Sequence, residues 1–149
     1  MSSFQLRRAR ADDREWMRSL NRECYREVVI EQFGSWEDSV QERFFAEKWD
    51  SDRFQIIRWN GVDIGALWVE RREDHHFLSE IQIAPEFQGR GIGEVVLREI
   101  LREAFSRNLE VRLRVLKQSR ARRLYDRLGF VVTGETDAHW LMNCHPSPD

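Results

Sequence analysis

The chain has 149 residues, enough for one domain with a real core, and its 41% hydrophobic and 34% charged residues fit a folded soluble protein rather than a disordered one. A net charge of −2 gives no footprint for nucleic acid, and no run approaches the ~18 apolar residues of a membrane span. Cys24 and Cys144 lie far apart without metal spacing, and the start Met1-Ser2-Ser3-Phe4-Gln5 lacks the apolar stretch of a signal peptide. Free thiols in a cytoplasmic protein, with no metal bound, are the expectation.

Taken in order, Phe4-Gln5-Leu6-Arg7 alternates apolar and polar and predicts a short first strand. Asp12 is the expected cap of a helix, with Glu15 three residues on as in a capping box. Trp16, Leu20 and Cys24 share one face and carry that helix to about Tyr25 or Val28. Gly34-Ser35 breaks the chain, and a second helix from Trp36 or Glu37 turns Val40, Phe44, Phe45 and Trp49 inward. Two strands, 54–59 and 62–69, flank Asn60-Gly61, the strongest short hairpin signal in the chain. Arg71 to His76 reads as a polar loop or strand end, with the His pair solvated, and Phe77 to Ile83 as the next strand.

Beyond Ala84-Pro85, three glycines fall at Gly89, Gly91 and Gly93, and a helix follows on Val96, Leu97, Ile100, Leu101, Ala104 and Phe105 to about Asn108. Leu109 to Leu116 is a strand with Val111, Leu113 and Val115 on one face. A short helix carries Ala121, Leu124, Tyr125 and Leu128 to Gly129, and two closing strands lie at Phe130–Val132 and His139–Met142. The order β-α-α-β-β-β-α-β-α-β-β describes an α/β domain over residues 1–144, with a mixed sheet of six to seven strands and about four helices. Residues 145–149, with two of the three prolines, read as a flexible tail.

The glycine-rich stretch is the chemical centre of the sequence. It opens a helix, where backbone N–H groups lack partners and the macrodipole is positive, and glycine removes the Cβ atoms that would hold an anion away. Spacing narrows the ligand. A dinucleotide fingerprint would need Gly or Ala at Glu94 or Val96, and a phosphate-binding P-loop would need Lys at Glu94. Neither is present. Gln88, Gly91 and Gly93 do fit Q-x-x-G-x-G, and the chain here resembles the GNAT superfamily of N-acetyltransferases. Ile81-Gln82-Ile83-Ala84-Pro85 before the loop and Ala121-x-x-Leu124-Tyr125-x-x-Leu128-Gly129-Phe130 after it strengthen the resemblance, which covers roughly 77–132 by motif and the remainder by element order.

The resemblance implies acetyl-CoA as co-substrate, its diphosphate held by the amides of Gln88, Gly89, Arg90, Gly91, Ile92 and Gly93. It also implies that main-chain groups of Ile81 and Ile83 hold the acetyl carbonyl and upper pantetheine arm. Relatives carry an Asn six or seven residues before the tyrosine; here Gln118 and Ser119 stand there, either able to hydrogen-bond. Arg90, and less directly Arg122 and Arg123, are candidates for neutralising the phosphates, although a charged helix face explains the pair equally well.

Acyl transfer from a thioester needs a deprotonated amine, a polarised carbonyl and a protonated leaving thiolate. Tyr125 is the candidate general acid, since a phenol of ordinary pKa about 10 carries its proton at neutral pH; its alternative role is packing on the core. Glu80 is the candidate base, although strand alternation sets it opposite Ser79, Ile81 and Ile83. His75, His76, Glu31 or a water relay are the alternatives. The resemblance implies a primary amine of a small molecule or peptide as acceptor. From Glu27 to Glu42 there are Glu27, Glu31, Glu37, Asp38 and Glu42 but no Lys or Arg, which describes either an acidic mouth or two ordinary exposed helix faces. Phe33 and Trp36 are pocket or core. A CoA-binding sensor without catalysis is the competing reading. No nucleic acid or membrane partner is expected, and the resemblance leaves a homodimer open.

Overall fold

Asn60 and Gly61 both take positive φ, 51° and 80°, which is the hairpin turn that Asn-Gly favours. The computed structural model describes residues 4–146. Its elements are β1 (Phe4–Arg8), α1 (Arg14–Phe33), α2 (Asp38–Lys48), β2 (Gln55–Trp59), β3 (Val62–Arg71) and β4 (His75–Ile83). They continue with α3 (Ile92–Ser106), β5 (Glu110–Leu116), α4 (Ala121–Arg127), β6 (Val131–Glu135) and β7 (His139–Cys144). The strand order is β1-β2-β3-β4-β5-β7-β6, a mixed seven-stranded sheet accompanied by four α-helices, as the sequence predicts. The chain forms two compact units: residues through Trp68 with Glu80–Arg90, and Val69–Ser79 with Gly91 onward.

In the first unit β1 runs antiparallel to β2, with Leu6 opposite Ile57, and β2 antiparallel to β3, with Ile56 opposite Ala66. The end of β4 approaches β3 so closely that a Cβ on Gly65 would lie 2.3 Å from the Gln82 carbonyl oxygen. Met17, Leu20, Phe45, Phe54, Ile56 and Ala66 form the core, and Trp16, Trp49 and Trp68 pack on it. An aromatic run crosses that core, with ring centroids 6.1 Å apart for Phe45–Trp49, 5.9 Å for Trp49–Phe54 and 5.5 Å for Phe54–Trp68. Such contacts add to the area buried by large rings.

Three expectations are corrected in this unit. Asp12 is not the helix cap: Ala11–Asp13 is a 3₁₀ turn, and it is Asp13 Oδ2 that accepts the Arg10 N–H at 2.8 Å while its carboxylate pairs with Arg7 at 2.9 Å. The Arg7 hydrogen bond holds the Asp13 carboxyl below its ordinary range. Helix α1 also runs past Val28 to Phe33 and stops only at Gly34, at φ 92°, because nothing before that glycine offers a left-handed stop. Phe44 does not face inward; it is exposed, and Phe45 alone is the buried member of α2.

In the second unit His75–Leu78 of β4 pairs in parallel with Glu110–Leu113 of β5, and β5 pairs antiparallel with β7, Leu113 opposite Met142. β6 pairs with β7 and forms the sheet edge. The helix α3 buries Ile92, Val96, Leu97, Ile100, Leu101 and Ala104, each of the five larger side chains contributing about 1.5–3 kcal/mol of transfer free energy. The His pair is not solvated. His75 and His76 begin β4 and are buried, His76 completely, because ladder pairing with β5 starts there and draws both into the sheet. The closing strands are longer or later than predicted: Phe130 is buried before β6 begins, and β7 continues to Cys144. Of the expected tail, 147–149 lie outside the described residues, and His145 Nδ1 lies 3.5 Å from Glu110 Oε2.

Candidate active site

In the first unit, β4 ends at Ile83 and a 3₁₀ turn, Pro85–Phe87, leads into the glycine loop. Proline at the first position of that turn fixes its φ. The Gln88 side chain reaches back, its Nε2 donating to the Ile83 carbonyl at 2.8 Å, and its own N–H donates to Pro85 O at 3.1 Å. Gln88 therefore shapes the strand-to-loop corner; its main-chain donor is already used. The same Ile83 carbonyl accepts the Cys24 thiol at 3.3 Å. Burial, followed by the charges of Glu23 and Glu80, pushes that thiol up to about 12, so Cys24 remains a donor and not a thiolate nucleophile. Ile81 and Ile83 are half-buried. Gly89 sits at φ 75° with open space where a Cβ would be, and the Arg90 guanidinium lies 5.1 Å from the Phe87 ring centroid.

Glu80 does not project freely. Lys48 Nζ donates to its Oε1 at 2.9 Å, and Tyr25 hydroxyl and Gln82 Nε2 donate to Oε2 at 2.5 and 3.3 Å. Lys48 also donates to Asn21 Oδ1 at 2.7 Å, and Gln82 to the same oxygen at 3.1 Å. Alternation along β4 therefore turns Glu80 and Gln82 together toward α1 and α2, as the pattern of the strand requires. No local pattern marks this cluster, because Asn21 and Tyr25, one turn apart on α1, are tens of residues away from Lys48 and Glu80. One weak signal existed: Lys48 and Lys117 are the only lysines among 24 basic residues.

The acidic stretch is partly compensated. Glu42 pairs with Arg18 at 2.6 Å and Asp38 lies 3.7 Å from Arg22, both arginines on α1. Along α1, a groove of about 670 Å³ is lined by Arg22, Glu23, Arg26, Glu27, Glu31 and Pro85, together with Ile30. Phe33 is exposed, and Trp36 Nε1 donates to Asp38.

In the second unit, Gly91 is the N-cap of α3 at φ 80°, with no side-chain cap and open space at its Cβ position. Ile92 is buried and locks the first turn in place, and Gly93 follows within that turn. Ser119 Oγ accepts the Ala121 N–H at 3.2 Å, which starts α4. Tyr125 is buried on α4 and meets Phe130 edge-on at 5.6 Å. Among the described residues no group of three His, Cys, Asp or Glu side chains comes together.

This fold, with a glycine-rich turn opening an uncapped helix after the fourth strand, defines an acetyltransferase class of α/β protein. The acetyltransferase (GNAT) family model matches residues 15–130, and the chain belongs to that family. Solved structures agree on the fold. The PaiA N-acetyltransferase of Thermoplasma acidophilum, in complex with coenzyme A, superposes with a TM-score of 0.78 at 19% identity, covering 96% of this chain and 99% of its own. The ribosomal-protein-S18-alanine N-acetyltransferase of Escherichia coli gives 0.69 at 19% identity, covering 100% and 96%. YjaB of Escherichia coli, in its apo form, gives 0.69 at 20% identity with 95% of each chain covered. Among curated proteins, none matches the sequence closely enough to count as a relative.

Proposed function

We propose that this acetyltransferase moves the acetyl group of acetyl-CoA to a primary amine of a small molecule or peptide. The observation that carries the reading is the stretch from Gly89 to Gly93, where two glycines at positive φ leave open space beside the bare start of α3. Those amides, with the positive end of the helix, suit a diphosphate, and a Cβ at Gly89 or Gly91 would intrude on it. Arg90 is placed to add charge. The ladder from β4 to β5 covers only His75–Leu78, which supports the reading that the later main-chain N–H groups at Ile81 and Ile83 serve the thioester and pantetheine, the Ile83 carbonyl being taken by Gln88 and Cys24. Acetyl-CoA supplies an already activated acyl group.

The protein residues then have limited work. Tyr125 donates a proton to the departing thiolate, and its burial against Phe130 fixes the ring for that task. Glu80 takes the proton lost by the amine. It lies against α1 and α2, whose stretch from Glu27 to Glu42 is the acidic candidate for an acceptor mouth. Ser119 keeps its hydroxyl hydrogen after accepting the Ala121 N–H and can donate it to the pantetheine arm. Two free cysteines are in keeping with a reducing, cytoplasmic setting.

The test is thiol release from acetyl-CoA across a panel of small and peptide amines, with product mass detection. Acetylated amine and stoichiometric CoA are expected. Stabilisation by CoA without turnover on any amine would support a sensor instead, and no response to CoA would remove both readings.

A further inference from the structure

The cluster around Glu80 is unlike the surface ion pairs of this chain. Three elements converge on it: Asn21 and Tyr25 from α1, Lys48 as the last residue of α2, and Glu80 with Gln82 from β4. The Lys48 and Glu80 side chains are only 21% and 11% exposed, where an unpaired charge would be costly. Lys48 Nζ also lies 5.1 Å from the Tyr25 ring centroid. An ammonium with three rotatable donors fits this crowded corner, and the chain places one of its two lysines here although arginine fills every basic position but two.

Acceptor capacity decides what the cluster can do. A carboxylate offers about four lone-pair sites. Tyr25 and Gln82 take the two on Oε2, and Lys48 takes one on Oε1. The remaining site is therefore on Oε1. Gln82, 3% exposed, has its Oε1 buried with no donor among the described residues. Two acceptor positions in one cluster thus lack an N–H or O–H from the described residues.

We infer that Lys48 is a positioning residue for acyl transfer and acts through Glu80, with Tyr25 as its counterpart on the other oxygen. This rests on the reading of Glu80 as the base. Lys48 and Tyr25 hold the carboxylate by opposite ends, so that the one open lone pair, on Oε1, is fixed in direction for the acceptor's N–H. In the transfer the amine nitrogen forms the C–N bond and gives one proton to Glu80 Oε1. The C–S bond breaks, and the thiolate takes a proton from Tyr125. The products are one amide and one thiol, and solvent returns the proton from Glu80 and restores the one lost by Tyr125. Without Lys48 the carboxylate keeps its place on the chain but loses its fixed rotamer.

The test uses the amine that the wild type acetylates best, and compares wild type with Lys48→Met, Lys48→Arg, Glu80→Gln and the Lys48→Met/Glu80→Gln double variant. Glu80→Gln is expected to lower kcat about 100-fold, and Lys48→Met about 10-fold, the KM for acetyl-CoA unchanged in both. In the Glu80→Gln background Lys48→Met should add nothing, and Lys48→Arg should recover part of the loss, because the charge is kept while the geometry is not. Multiplying effects in the double variant, or full kcat in Lys48→Met, would overturn the inference. A crystal structure of Lys48→Met gives a second readout that needs no turnover: Glu80 should leave the Tyr25 hydroxyl, and an unmoved carboxylate overturns the positioning role. A wild type that acetylates no amine would sink the proposed function on its own, and the crystal structure would still decide whether Lys48 positions Glu80.

Discussion

Tyr125 shows how far a single residue can be read. Its burial on α4 and its edge-on contact with Phe130 satisfy a packing role as fully as a catalytic one. Tyr125→Phe separates the two, because the ring stays and only the hydroxyl goes. We expect kcat to fall about 100-fold while the melting temperature changes little, and unchanged turnover would leave Tyr125 as core. His76 makes a second prediction. It is completely buried, no group among the described residues hydrogen-bonds either ring nitrogen, and burial pushes the imidazole below its ordinary 6.5 despite Glu103 nearby. Arg71, Arg107 and His75 oppose its protonation as well. Above pH 6.5 neither folded nor unfolded state protonates it. As pH falls through 6.5 the unfolded chain takes the proton first, so stability drops with acid until the folded imidazole titrates too. Denaturant melts of wild type and His76→Leu from pH 8 to 5 should show the acid slope reduced in the variant; identical slopes would refute the assignment. The burial of this pair was not legible in sequence, since two adjacent histidines after a run of charges look solvated until β5 pairs with them.

At the scale of elements, most of the fold was legible and the boundaries were not. The hairpin at Asn60-Gly61, the apolar face of α3 and the alternation of β5 are local signals, and each appears where expected. Gly65 carried no readable signal, because its reason is a neighbour seventeen positions away: the Gln82 carbonyl fills the space a Cβ would need. Gly65→Ala is therefore expected to cost about 1–3 kcal/mol, measured by urea denaturation, with the backbone of β3 or β4 forced to shift. Gly61→Ala is the comparison. It has open space but φ of 80°, so only the backbone strain of about 1–2 kcal/mol remains. A Gly65→Ala protein as stable as wild type would contradict the close approach. The helix α1 teaches the same lesson, since its length was set by the distant stop at Gly34 rather than by the apolar repeat that ends near Cys24.

For the molecule as a whole, sequence motifs located β4, the glycine turn and α3, because a strand-to-helix turn built on glycines imposes a local spacing. The polar cluster on Glu80 escaped the same reading because its members meet only through folding, from α1, α2 and β4. Net charge of −2 hides a dense arrangement of arginine and carboxylate pairs, so composition alone said little about the electrostatics of either unit. The central claim is that the amides from Gly89 to Gly93 grip the diphosphate of CoA. Thermal melting of wild type and Gly91→Val, each with and without CoA, tests it most directly. At a hundredfold excess over Kd, CoA should stabilise the wild type by about 2.7 kcal/mol, a rise of several degrees, while Gly91→Val stays folded on the buried face of α3 and shows no rise. A Gly91→Val protein that gains as much from CoA as the wild type would contradict the account.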